Sequence, residues 1–177
     1  MTSPSGPLPT RSQQVADALT TAGIPGGIRQ LAESTRTAAE AANALGCEVG
    51  AIANSLVFIS DDVPVLVLTS GRHKVDTAGL ATRWGRGELR RATAEQVRQA
   101  TGQAIGGVAP VGHPDPLPTV VDEALTDYPR IWAAAGTPHT VFPTTADELL
   151  RLTGGRLLPV GLGNTATDSN GAAVPRR

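Results

Sequence analysis

Little in this sequence is aromatic: two Trp, two Phe and one Tyr among 177 residues. Any core must therefore be aliphatic, assembled from Val, Leu, Ile and Ala. Cysteine occurs once, at Cys47, which excludes an internal disulfide and any multi-cysteine metal site. Lysine also occurs once, at Lys74, and the other basic residues are Arg. No apolar run approaches the roughly 18 residues of a membrane span, and no leader pattern is visible at the N-terminus. The chain therefore reads as cytoplasmic, with no membrane partner. A formal net charge of -1 provides no global positive field to hold nucleic acid. DNA is not expected as a partner, and any RNA contact needs a local patch or a pocket. There is no G-x-S-x-G elbow, no phosphate-binding Walker loop and no His/Cys metal spacing, so neither a cofactor nor a metal is expected.

What is present is ordinary globular composition, 40% apolar and 18% charged. A domain of roughly 150 residues buries about 70% of its unfolded surface, enough for a core without staples. Residues 1–10 and 159–177 are rich in Pro, Ser, Gly and small polar residues and read as disordered tails around one domain, 11–158. Apolar spacing predicts a helix over 12–22 and a second, alanine-rich helix from Thr37 to Leu45, closed by Gly46. Ala51–Ile59 and Val63–Thr69 read as a hairpin around the turn Ser60-Asp61-Asp62. The run PVLVLTS predicts a central strand buried on both faces. Asp76 caps a helix to Trp84, and Thr93-Ala94-Glu95-Gln96 fits a capping box. Gly106 to Pro118 carries adjacent glycines and four prolines, so it is a shaped loop. Strands are expected over 28–31, 89–92, 119–124, 130–135 and 139–142, with a last helix capped by Thr144 or Thr145 and running to Leu152. Mixed elements with hairpin-type neighbours predict an α+β fold.

Four blocks carry a resemblance. They are Thr37 to Gly46; Ile52-Ala53-Asn54-Ser55-Leu56-Val57-Phe58 with the following PVLVLTSG; Gly106-Gly107-Val108-Ala109-Pro110-Val111-Gly112 followed by Leu117-Pro118-Thr119-Val120-Val121-Asp122; and Ala134 to Thr137 with the helix around Asp147–Leu152. Together they resemble the YbaK/ProX-type aminoacyl-tRNA deacylases and the editing insertion of bacterial prolyl-tRNA synthetases. The resemblance implies a mixed, mostly antiparallel, barrel-like β-sheet flanked by helices. It also implies trans-editing: hydrolysis of the ester joining a wrong, small amino acid such as Ala or Cys to the tRNA for proline. The implied partners are the acceptor end of an aminoacyl-tRNA and prolyl-tRNA synthetase.

Such a site needs little machinery, because the ester is already activated. Holding its carbonyl near a water and facing the developing oxyanion with backbone N–H groups supplies the required help. The loop Gly106, Gly107, Val108, Ala109 and Pro110 suits that task, since glycine lets the backbone approach closely and proline stiffens the exit. Asn54 stands where the family carries a lysine, and supplies two donors and an acceptor without charge. Ile52, Ser55, Asp122, Gly136 and His139 complete the expected substrate-binding set. Two readings of Asn54 stay open: hydrolysis that uses a hydrogen-bond donor instead of a cation, or a noncatalytic module that binds aminoacyl-tRNA or a synthetase. Lys74 lies beyond the next strand and is not expected to replace the missing charge. His113 is expected on an exposed loop. Arg83, Arg86, Arg90 and Arg91 form either a solvated surface or a phosphate contact.

Overall fold

The computed structural model of the protein describes residues 6–25 and 27–161. The expected tails at 1–10 and 159–177 fall in part outside these residues.

Helix α1 (Thr10–Thr21) buries Val15 and Leu19, one turn apart. Strand β1 (Arg29–Gln30) follows. Helix α2 (Ala38–Leu45) starts at a full capping box. The Thr37 side chain accepts from the Glu40 amide, the Glu40 side chain accepts from the Thr37 amide, and Gly46 ends the helix at φ 66°. A left-handed residue costs glycine nothing, which is why the helix stops there. These bonds hold the Glu40 carboxyl below its usual range, the Thr37 hydroxyl contributing most.

Strands β2 (Ile52–Ser60) and β3 (Val63–Ser70) pair antiparallel along their whole length, from Ala53 opposite Ser70 to Ser60 opposite Val63. The tight turn between them places Asp61 and Asp62 at positive φ. Helix α3 (Thr77–Trp84) is capped by Asp76, strand β4 is Arg90–Arg91, and α4 (Ala94–Thr101) carries the Thr93/Gln96 capping box. After the proline-rich loop come β5 (Thr119–Asp122), β6 (Ile131–Ala134), β7 (Thr140–Thr144), α5 (Ala146–Thr153) and β8 (Arg156–Leu158).

The strands form one mixed sheet in the order β1-β7-β6-β2-β3-β5-β8, with β4 paired to β2 off that path. Four pairings are antiparallel, β1–β7, β2–β3, β2–β4 and β6–β7; three are parallel, β2–β6, β3–β5 and β5–β8. The expected mixed sheet with flanking helices is therefore present. It is an open path from β1 to β8 and does not close into a barrel.

β3 is buried on both faces, as the run PVLVLTS requires. Leu66 and Leu68 join Val57, Val121 and Phe142 on one side, while Val65 and Val67 join Phe58, Leu80 and Val120 on the other. Alternation along the strand thus feeds two cores at once. Each fully buried Leu or Val contributes about 1.5–3 kcal/mol relative to exposure. A third, smaller cluster of Ala41, Ala42, Ile52, Trp132 and Val141 seats α2 on the sheet. The Arg29 guanidinium covers Trp132 from outside, 4.8 Å from the ring centre.

One detail of β2 positions everything that follows. Along the edge away from β3, β2 pairs with β6 only at Ile52 and Ala53, and with β4 only at Phe58 and Ile59. Asn54, Ser55, Leu56 and Val57 have no ladder partner on that edge, although the Val57 carbonyl accepts from the Ala92 amide at 3.1 Å.

Candidate active site

The gap in β2 opens into two adjoining recesses. The smaller, of about 50 Å³, has Ile52, Val108 and Trp132 in its walls together with the polar Thr35, Arg36 and Asn54. The larger, of about 590 Å³, reaches toward His73, Lys74 and Arg91. Six residues line both: Arg36, Thr37, Ala38, Asn54, Ser55 and Gly106. The start of α2, the gap in β2 and the glycine loop therefore frame one cleft.

Electrostatically, the larger recess is one-sided. Arg36, Lys74 and Arg91 line it, and no Asp or Glu does. On a chain of net charge -1 this is a local concentration of positive charge facing a recess. Lys74 is exposed, and it lines the same recess as Asn54, which its place beyond β3 in the sequence did not indicate.

The glycine loop is held from outside by long-range bonds. Gly136 donates its amide to the Gly107 carbonyl at 2.9 Å. A Cβ on Gly107 would lie 2.5 Å from the carbonyl carbon and 2.6 Å from the Cα of Thr137, so only glycine lets these backbones meet. Gln103, buried and without any signal in the sequence, accepts from the Ala109 amide at 2.7 Å and donates to the Val111 carbonyl at 3.3 Å. The Gly107 amide goes to the Ala104 carbonyl at 3.0 Å. Among the described residues, the amides of Gly106 and Val108 make no hydrogen bond, and both residues line the smaller recess. Gly106 takes φ 94°, a conformation that favours glycine. Pro110 is buried at the loop's exit. The Ser55 hydroxyl is buried and also unpartnered. A buried polar group without a partner is uncommon, and a polar ligand in the cleft would supply one for Ser55.

The structure thus brings together Asn54, Ile52, Ser55, Gly106 and Val108 from the expected set. Gly107, Ala109 and Pro110 form the frame behind them. Gly136 is buried and acts on the site through Gly107. His139 is exposed and lies away from the cleft, where its carbonyl accepts from the Leu31 amide across to the chain before α2. Asp122 is fully buried and lines neither recess, yet it connects to the larger one. It accepts from the Ser70 amide at 3.0 Å, the Thr69 hydroxyl at 3.3 Å and the Ala124 amide at 2.9 Å, and stands 2.9 Å from His73 Nδ1. Thr69 and His73 both line the larger recess.

His73 was not singled out by sequence reasoning. Its partner is 49 positions away, and only the parallel pairing of β3 with β5 joins them. His113 is half-buried and not exposed, with Nε2 2.7 Å from the Ala109 carbonyl. Burial pushes its imidazole below the ordinary value, partly offset by that bond. Arg91 reaches the cleft. Arg86 stacks on Trp84 at 4.7 Å, and Arg83 donates to the Pro159 carbonyl, so these two serve the scaffold. Among the described residues, no group of three or more His, Cys, Asp or Glu could hold a metal.

The fold is thus a mixed sheet whose interrupted strand opens into a small recess beside a wider, basic one. Residues 32–152 match the aminoacyl-tRNA editing domain, and the chain belongs to that family. It is similar to a solved structure of a proposed trans-editing enzyme for prolyl-tRNA synthetase, with 46% identity, 89% of this chain and 100% of the other covered, and a TM-score of 0.83. It is 26% identical over 129 residues to EbsC of Enterococcus faecalis, a proposed Cys-tRNA(Pro)/Cys-tRNA(Cys) deacylase, covering 72% of this chain and 79% of that protein. It is also 36% identical over 90 residues to the proline–tRNA ligase of Lactiplantibacillus plantarum, of which the match spans only 16%. No helix among the described residues is long and apolar enough to cross a membrane.

Proposed function

We propose that the protein hydrolyses the ester of a mischarged aminoacyl-tRNA in trans, acting in the cytoplasm on a small residue such as alanine or cysteine carried by the tRNA for proline. The observation that carries this reading is the pair of recesses meeting at Arg36, Asn54 and Ser55, one small, with Ile52, Val108 and Trp132 in its walls, the other wide and lined also by Lys74 and Arg91. A recess of about 50 Å³ has room for roughly four waters, or for a side chain of a few heavy atoms. A synthetase discriminates poorly between small side chains, since one methylene is worth only about 1–3 kcal/mol, and a second hydrolytic sieve removes what slips through.

In this reading the terminal adenosine and its phosphates occupy the wider recess, and the amino-acid side chain enters the smaller one, against Ile52, Val108 and Trp132. The ester carbonyl then lies against the free amides of Gly106 and Val108, which face the oxyanion as water attacks. The Asn54 side chain, which makes no hydrogen bond among the described residues, orients the aminoacyl group. Prolyl-tRNA synthetase is the partner that would supply the mischarged product.

The test is ester loss from alanyl- and cysteinyl-tRNA for proline, measured for the wild type and for Asn54→Ala. Turnover that weakens in the variant is expected. Binding of charged tRNA with no turnover would instead establish the noncatalytic module.

A further inference from the structure

His73 and Asp122 form a pair at the wall of the larger recess, separate from the Gly106–Val108 amides. His73 sits in the tight turn after β3, its amide bonded to the Ser70 carbonyl at 2.9 Å. Its side chain is 16% exposed and lines the larger recess, while Asp122 behind it is 0% exposed. A carboxylate only accepts, so the 2.9 Å contact requires a proton on Nδ1, and in the neutral ring the lone pair is then on Nε2. Nε2 makes no hydrogen bond among the described residues. Asp122 does not depend on His73 for its satisfaction, because Ser70, Thr69 and Ala124 already donate to it.

The pair is also wired to the gap in β2. Asn54 stands directly opposite Thr69 in the β2–β3 register, and side chains opposite one another share a face. Thr69 and His73 contact the same Asp122 oxygen, Oδ2. Asn54, Thr69 and His73 therefore line one wall of the larger recess, with the carboxylate beneath them.

We propose that His73, oriented by Asp122, carries the proton in ester hydrolysis at this cleft; the inference rests on the deacylase reading above. The water oxygen bonds to the ester carbon as its proton passes to Nε2. The carbon–oxygen bond to the ribose then breaks, and Nε2 returns that proton to the departing ribose oxygen. The amino acid leaves as an acid and gives its own proton to solvent. The charged groups that line the recess with His73 are Arg36, Lys74 and Arg91, and Asp122 from β5 lies behind it; the neighbouring Arg72 pairs with Asp127, and Asp76 with Arg83.

The experiment compares wild type, His73→Asn and His73→Gln on mischarged tRNA across a pH series, with thermal melting of each. Asparagine keeps a donor for Asp122 and removes the base. The expected result is a loss of turnover on the order of 10²–10⁴-fold, with folding retained. The acid-side fall of the wild-type profile should disappear, leaving residual activity that simply follows hydroxide. Full turnover in His73→Asn, or a loss that keeps the wild-type acid fall, overturns the role of His73 and leaves the deacylase reading standing. Absence of turnover in the wild type overturns both.

Discussion

Replacing Gly107 with alanine tests whether the glycine loop is built by close backbone contact. The new Cβ would stand 2.5 Å from the Thr137 carbonyl carbon, 2.6 Å from its Cα and 2.8 Å from the Pro138 nitrogen. All three are main-chain atoms, so no side chain can rotate away, and the loop itself must retreat by about 1 Å to restore ordinary contact. Overpacking of this kind costs about 1–3 kcal/mol, and losing the Gly136–Gly107 bond adds about 1 kcal/mol. For a chain of this size that predicts a fall in Tm of roughly 4–16 °C at about 2–4 °C per kcal/mol. The same retreat carries Gly106 and Val108 away from the cleft. A misplacement near 1 Å costs on the order of 10²-fold in turnover. Differential scanning calorimetry and the deacylation assay read the two effects separately. Gly154→Ala is the control. It has φ 65° and open space around the new Cβ at the end of α5, so it should lose about 1–2 kcal/mol of stability and no turnover. A Gly107→Ala protein with wild-type Tm and wild-type turnover would refute the reasoning.

Two further outcomes follow from the charges. Lys74→Ala and Arg91→Ala should each weaken binding of charged tRNA and flatten its salt dependence by about 0.7 in the log–log slope for every phosphate no longer neutralised. Filter binding over a salt series measures this, and an unchanged slope in both variants would remove the basic recess from the binding site. For His113, burial lowers the folded-state imidazole below the ordinary 6.5, so the unfolded chain binds more protons on the acid side of that value. The stability that neutral His113 allows is present above about pH 6.5 and is lost as the pH falls toward the lowered folded value. His113→Asn should therefore reduce the drop in Tm over that window, and an identical drop would show that His113 is not its source.

Local chemistry was legible in the sequence, and long-range chemistry was not. Thr93 with Gln96 and the terminal Gly46 announce their helices because each cap is made within a few residues; the Thr37–Glu40 box is just as local, but Ser34-Thr35 was the expected opening of α2. The β2–β3 hairpin was legible for the same reason. β8 was not foreseen: three residues after a Gly-Gly pair carry no period, and the strand exists because β5 offers it an edge. The parallel pairings of β2 with β6 and β3 with β5 are likewise set by packing between distant segments. The site divides along the same line. Asn54, Ser55 and the Gly106–Val108 segment could be read from contiguous blocks. Gln103 gripping Ala109, and Asp122 reaching His73, join residues that only the folded sheet brings together. His139 lies on the sequence beside Gly136, which braces the loop, but its own side chain is exposed.

The interrupted edge of β2 has a consequence for how such a protein can diverge. An unpaired edge is ordinarily a hazard, because it invites another chain to add a strand. Here it is four residues long and flanked by β6 and β4, too short for a foreign strand to gain a foothold. Within that window the backbone owes nothing to a neighbouring strand on that edge, so a change at position 54 leaves the ladder there untouched. The side chain at the centre of the cleft can therefore vary without a ladder bond on that edge being at stake. Inherited architecture and selectable chemistry are thereby kept in separate hands.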